Sequence, residues 1–246
     1  MERIPYGTDP FQFGELTLPS AGGLHPVVIV IHGGFWRAKY DLEYMQPVCE
    51  SFADAGLAVW NLEYRRIGNP GGGWPGTLND VAAGAGYVAS VSDRFQLDLN
   101  RVIAIGHSAG GHLAFWLAAH KTFLTAAVSL AGVVDLRRAS ELKLSNTAVA
   151  DLLGGSPEDV PDRYDFASPI ERLPIGIPQK LFHGTIDDDV PIEISERYVQ
   201  VAQLHGDDVE LISLPGADHY DVVNPRTKEF ALVREAVMHL SGRSKL

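Results

Sequence analysis

The sequence predicts an α/β fold: a mainly parallel, doubly wound sheet with helices on both faces. Three observations carry that expectation. Six short apolar runs, rich in β-branched residues, recur along the 246-residue chain. Stretches with helical periodicity separate them, and glycine-rich polar segments follow several of them directly. Strands without a wet face belong to a sheet covered on both sides, and strand–helix alternation is what builds one.

The elements follow in order. FGELTLPS alternates in polarity and predicts an antiparallel edge strand near the N-terminus. VVIVI (27–31), LAVWNLEY (57–64), RVIAIG (101–106), TAAVSLAG (125–132), QKLFHG (179–184) and VELISLPG (209–216) predict the other strands. The first helical stretch, DLEYMQPVCESFADAG, stops at Gly56, as glycine after a last turn allows. TLNDVAAGAGYVASVSDRF opens at Thr77 with Asp80 three residues on, a capping-box pattern with Asp for Glu. SAGGHLAFWLAAH, ISERYVQVAQLHG and RTKEFALVREAVMHLSG predict the remaining long helices. Residues 133–178 break the rhythm and read as a short helical insertion, too small for a domain of its own. The expectation is one domain over 1–246.

Composition narrows the function. Hydrophobic residues make up 46% of the chain, enough for a sizeable core. The formal net charge of -11 argues against a nucleic-acid partner, because a polyanion is repelled. A single cysteine, Cys49, excludes an intrachain disulfide and reads as core filler. The N-terminus lacks the basic and apolar regions of a signal peptide, and no apolar run approaches the roughly 20 residues that span a bilayer. A cytoplasmic chain without a membrane partner is expected.

In an open α/β sheet, ligands gather at the carboxyl ends of the strands. HGGFW (32–36), GHSAGG (106–111), HGTIDDDVP (183–191) and GADHYD (216–221) all fall there. Gly106-His107-Ser108-Ala109-Gly110 is a G-x-S-x-G turn between strand and helix, which presents a serine hydroxyl as a nucleophile. A serine needs a base, and His219 lies in the loop between the last strand and the last helix. Asp187, Asp188 and Asp189 share the loop from which an acid would orient that imidazole. Asp187 is the choice, with its two neighbours read as a solvated turn. A metal held by the three acids is disfavoured because no companion cluster accompanies them, so neither metal nor cofactor is expected. Gly33, Gly34 and Phe35, with Ala109 after the nucleophile, are the expected oxyanion hole. His32 and His183 are expected to brace loops, and His107 and His112 to line or support the pocket. Trp36, His107, Trp74 and Tyr220 are the expected substrate contacts, although Trp36 could pack under its loop and Trp74 could pin the 64–81 loop instead.

These motifs together resemble the α/β-hydrolase family, in its group of small esterases and lipases with an HGG oxyanion motif. HGGFW is similar to the HGGxW motif of serine-type kynurenine formamidases, and HGTIDDDVP resembles HGxxDxxVP with Asp187 in the acid position. The resemblance spans roughly residues 25–240 and implies the fold and a Ser108–Asp187–His219 triad. Many HGG-type esterases carry a longer N-terminal cap, so a lightly covered pocket is expected here. The expected substrate is a small ester, with a formamide as alternative. A peptide substrate is disfavoured for want of an added domain to frame a groove. A non-catalytic binding protein is disfavoured because all three triad positions are filled. Exposed edge strands permit a homodimer.

Overall fold

The computed structural model describes residues 1–242. Eight strands form one sheet: β1 (Glu2–Pro5), β2 (Phe13–Thr17), β3 (His25–Ile31), β4 (Ala58–Leu62), β5 (Leu97–His107), β6 (Ala126–Leu130), β7 (Gln179–Gly184) and β8 (Val209–Leu214). Their order is β1-β2-β4-β3-β5-β6-β7-β8. β1–β2 and β2–β4 pair antiparallel, and every other pair is parallel. The strand expected at the antiparallel edge, β2, is therefore the second strand in. Short β1 covers it, a strand too brief for its pattern to signal from sequence.

The apolar side chains of β3 explain the two-sided sheet. Val27, Ile29 and Ile31 enter one core, and Val28 and Val30 the other. Helices α1 (Gln46–Asp54) and α9 (Lys228–Leu240) cover the second core with Cys49, Phe52, Phe230 and Val233. Helices α2 (Gly76–Gly86), α3 (Val88–Phe95), α4 (Ala109–His120) and α8 (Glu193–Leu204) cover the first. Alternate residues of one strand thus feed opposite faces, as the pleat requires.

The 77–95 stretch differs from expectation. It is two helices, and Thr77 lies inside the first. Its hydroxyl accepts from the Gly73 N–H at 3.0 Å and donates to the Arg65 carbonyl at 2.6 Å. Asp80 instead takes two hydrogen bonds of 2.7 Å from the Arg65 guanidinium. The capping-box residues serve the preceding loop, because a tertiary partner outbids the local one. The insertion forms α5 (Leu136–Glu141), α6 (Ala148–Leu153) and α7 (Pro161–Ala167), all short. Among the described residues no helix is long and apolar enough to cross a membrane.

Candidate active site

β5 delivers the chain into Ser108, whose φ of 56° and ψ of -120° lie outside the regions ordinary side chains favour. Such a conformation costs about 1–3 kcal/mol and persists only where the surroundings fix it. Here the Ser108 N–H donates to the Leu130 carbonyl at 2.8 Å, and the Ser108 carbonyl accepts from the Gly111 N–H at 2.9 Å. The flanking glycine has a steric reason. A Cβ on Gly110 would lie 2.0 Å from the Ile31 carbonyl oxygen, a backbone atom that cannot yield. α4 begins at Ala109, so the N–H groups of Ala109 and Gly110, which take no partner within the helix, lie beside Ser108.

β8 and β7 bring up the other two residues. His219 Nδ1 lies 2.7 Å from Asp187 Oδ2, with Asp187 fully shielded from solvent at its side chain. The other carboxylate oxygen accepts the N–H of Asp189 at 3.0 Å and of Val190 at 2.8 Å. His183 Nε2 approaches Oδ2 from a second side at 3.3 Å. Burial raises the Asp187 carboxyl, but hydrogen bonds from His183 and His219 outweigh it and hold the group well below its ordinary range. With Nδ1–H given to the carboxylate, His219 Nε2 is left as the basic nitrogen.

Ser108 and His219 both line one cavity of about 880 Å³ at the carboxyl ends of the strands. Gly34, Phe35, Tyr40, Tyr44, His107 and Tyr220 line it, together with Glu50, Asp54, Arg226 and Arg234. The lining includes the expected contacts His107 and Tyr220, together with Gly34 and Phe35 of the HGGFW loop. It does not include Trp36 or Trp74.

Trp36 is corrected to a buried brace. It is wholly shielded, and its indole N–H donates to His112 Nδ1 at 3.1 Å. His112 Nε2 in turn contacts the Ala167 carbonyl at 2.9 Å, tying the HGGFW loop to the insertion. That anchoring offsets unfavourable backbone: Phe35 and Trp36 both hold positive φ, 48° and 57°. Trp74 is half-buried and lies outside that lining. It packs edge-on against Phe166 at 5.5 Å between ring centres and under Arg163, pinning its own loop. Gly33 is also reassigned, because its N–H donates to the Tyr44 hydroxyl at 2.5 Å. A side chain could not stand there, since a Cβ would lie 2.6 Å from the His107 carbonyl. Gly34, Phe35 and Ala109 remain as candidate oxyanion donors.

Tyr44 is the residue that sequence reasoning missed. It lies within what reads as one helix, yet Leu42–Met45 is a separate 3-10 turn and α1 begins only at Gln46. Pro47 was the available signal, because proline belongs to a helix's first turn and marks its start.

His32 and His183 brace loops as expected. His32 Nε2 lies 3.1 Å from Glu63 Oε1, and His183 Nδ1 lies 2.7 Å from Ser195 Oγ. Among the described residues, no group of three or more His, Cys, Asp or Glu side chains is arranged to hold a metal ion.

Two further imidazoles are buried and neutral. Burial, then the neighbouring His219, pushes His107 down from 6.5 to about 3, and burial pushes His112 down to about 4. As the pH falls below 6.5, the unfolded chain binds protons at these two positions that the folded chain refuses. Their contribution is therefore complete above the ordinary imidazole range and shrinks on acidification toward 4 and 3. Asp187 acts in the same direction, but only once the pH falls below its ordinary 3.8. Thermal melts should be flat above roughly pH 7.5 and decline steadily from pH 6.5 downward. A melting temperature that rises between pH 6.5 and 4.5 would contradict the neutral assignment.

The comparison with known proteins follows the same outline. The BD-FAE sequence family matches residues 15–201, from β2 through most of α8. The chain belongs to the BD-FAE family. This BD-FAE chain is 26% identical to the isoprenylcysteine alpha-carbonyl methylesterase ICME of Arabidopsis thaliana, over 89% of its length and 56% of that protein's. It is 27% identical to esterase LipC of Mycobacterium tuberculosis, over 88% of its length and 59% of that protein's. The chain thus spans under two thirds of either relative. Among solved structures, a truncated carbohydrate esterase from gut microbiota superposes with a TM-score of 0.83 at 21% identity, covering 98% of this chain and 95% of that one. The propionate-bound esterase Est2 of Thermogutta terrifontis superposes at 0.80 and 21% identity, covering 100% and 96%. Both likenesses place the BD-FAE chain in the α/β-hydrolase fold.

Proposed function

We propose that this chain is a serine hydrolase that cleaves a small carboxylic ester through an acyl-enzyme. The observation that carries the reading is the 2.7 Å contact of His219 Nδ1 with buried Asp187, which leaves Nε2 basic in the cavity that Ser108 also lines. Ser108 Oγ attacks the ester carbonyl carbon while His219 Nε2 takes its proton. Asp187 stabilises the resulting imidazolium. Backbone N–H groups of Gly34, Phe35 and Ala109 hold the tetrahedral oxyanion. The C–O bond then breaks, and the proton on His219 passes to the departing alcohol. Water, deprotonated by His219, attacks the acyl-enzyme and releases the acid. The ester-cleaving relatives support this choice of bond.

A second reading, hydrolysis of the formamide of N-formylkynurenine, is favoured by the HGGFW motif and the aromatic side chains that line the cavity, Phe35, Tyr40, Tyr44 and Tyr220. Turnover of p-nitrophenyl acetate, N-formylkynurenine and a peptide anilide decides between them. The ester should be cleaved with the highest kcat/KM, and a strong preference for N-formylkynurenine would replace the first reading with the second. A fluorophosphonate probe should label Ser108. An unlabelled wild-type chain would leave only a binding role on a hydrolase scaffold.

A further inference from the structure

We infer that Tyr44 and His107 are positioning residues that lock the oxyanion loop to the backbone of the catalytic base. The inference rests on the proposed roles of Ser108 and His219, and on an unbroken chain of hydrogen bonds through parts of the sequence far apart. The Gly33 N–H lies 2.5 Å from the Tyr44 hydroxyl, that hydroxyl lies 3.0 Å from His107 Nδ1, and His107 Nε2 lies 2.9 Å from the His219 carbonyl.

The direction of every link is fixed by chemistry. An amide N–H only donates and a carbonyl only accepts. His107 must therefore donate from Nε2 to the His219 carbonyl. Its Nδ1, in the neutral ring, must accept the Tyr44 hydroxyl proton. The Tyr44 oxygen then accepts from Gly33. Only neutral His107 permits this arrangement, and its burial keeps it neutral.

The chain links three segments that must agree for acyl transfer: the loop after β3, the turn holding Ser108, and the loop holding His219. Gly33 is crowded against the elbow as well, since a Cβ there would lie 2.9 Å from the Ser108 Cβ and 3.0 Å from the Tyr44 hydroxyl. Tyr44 thus fixes the peptide that precedes the Gly34 donor, while His107 fixes the backbone from which the base projects. Neither residue shares a proton with the reacting atoms. Both set where those atoms stand, and misplacement of about 1 Å costs on the order of 100-fold in rate.

The test uses Tyr44→Phe, His107→Ala, His107→Gln and the double variant Tyr44→Phe/His107→Ala, on the full chain with a p-nitrophenyl ester. Tyr44→Phe and His107→Ala should each lower kcat about 10- to 100-fold with KM changed less than about threefold. The double variant should lose no more than either single variant, because one break already opens the chain. His107→Gln, whose amide can both accept from Tyr44 and donate to the His219 carbonyl, should recover most of the rate. Multiplicative losses in the double variant, a loss expressed in KM alone, or a Tyr44→Phe kcat within twofold of wild type would each overturn the inference. Should Tyr44→Phe fold poorly, the contrast between His107→Gln and His107→Ala decides alone. Fluorophosphonate labelling of the wild-type chain separates the two levels. A labelled wild type with an unaffected Tyr44→Phe rate refutes the relay, whereas an unlabelled wild type refutes the hydrolase reading beneath it.

Discussion

Ser108→Ala should lower kcat for a p-nitrophenyl ester by about 10⁴- to 10⁶-fold and abolish fluorophosphonate labelling, with the fold intact. The magnitude follows from the division of labour in the site. Without a nucleophile, only the proposed oxyanion donors and substrate positioning would accelerate attack by water. Stability carries the more specific expectation. Ser108 holds φ at 56°, a strain that alanine inherits and glycine relieves. Ser108→Gly should be as inactive as Ser108→Ala yet more stable by about 1 kcal/mol, after the greater freedom of unfolded glycine is subtracted. Thermal melts of the three proteins measure this. A glycine variant that melts below wild type would mean that the turn is not strained, and residual ester turnover within 100-fold of wild type would mean that Ser108 is not the nucleophile.

Asp187→Asn should lower kcat by on the order of 10⁴-fold with little change in fold. Four donor groups surround the carboxylate: His219 at 2.7 Å and His183 at 3.3 Å from Oδ2, the latter closer to the Val190 carbonyl at 2.8 Å, and the N–H groups of Asp189 and Val190 at Oδ1. An amide offers only one acceptor oxygen. If that oxygen keeps the two backbone bonds, the NH₂ faces His219 Nδ1 and forces the imidazole proton onto Nε2. His219 then cannot take the Ser108 proton. An Asn variant that retains more than a tenth of wild-type kcat would remove Asp187 from the site and direct attention to Asp188 or Asp189.

The parts of the site legible in the sequence are those whose chemistry demands a rare residue at a rare place. Gly110 cannot carry a Cβ against the Ile31 carbonyl, so the turn around Ser108 is spelled in glycines. Asp187 and His219 were legible because each follows a run of strand character, and strand ends converge in a parallel sheet. Trp36 and Trp74 read equally well as contacts and as props, because an indole is large and apolar in either role. Only the folded neighbours, His112 for one and Phe166 with Arg163 for the other, show what each packs against. Apart from Pro47, which marks where α1 starts, Tyr44 left no trace, since its hydroxyl acts on a glycine 11 residues earlier and a histidine 63 residues later.

By itself, the sequence determined the alternation of strands and helices, the two-faced sheet and the places of Ser108, Asp187 and His219 just past strand ends. Periodicity, glycine at a crowded turn and the scarcity of polar residues in strands are local properties, and local properties are written residue by residue. Tertiary structure alone decided that β1 covers β2, that Thr77 and Asp80 serve a loop, and that the Gly33 N–H is held by Tyr44. Each of these is a contest for one hydrogen-bonding group among partners distant in sequence. Burial settles such contests, because a polar group shut away from water bonds to whichever partner the packed chain brings within reach.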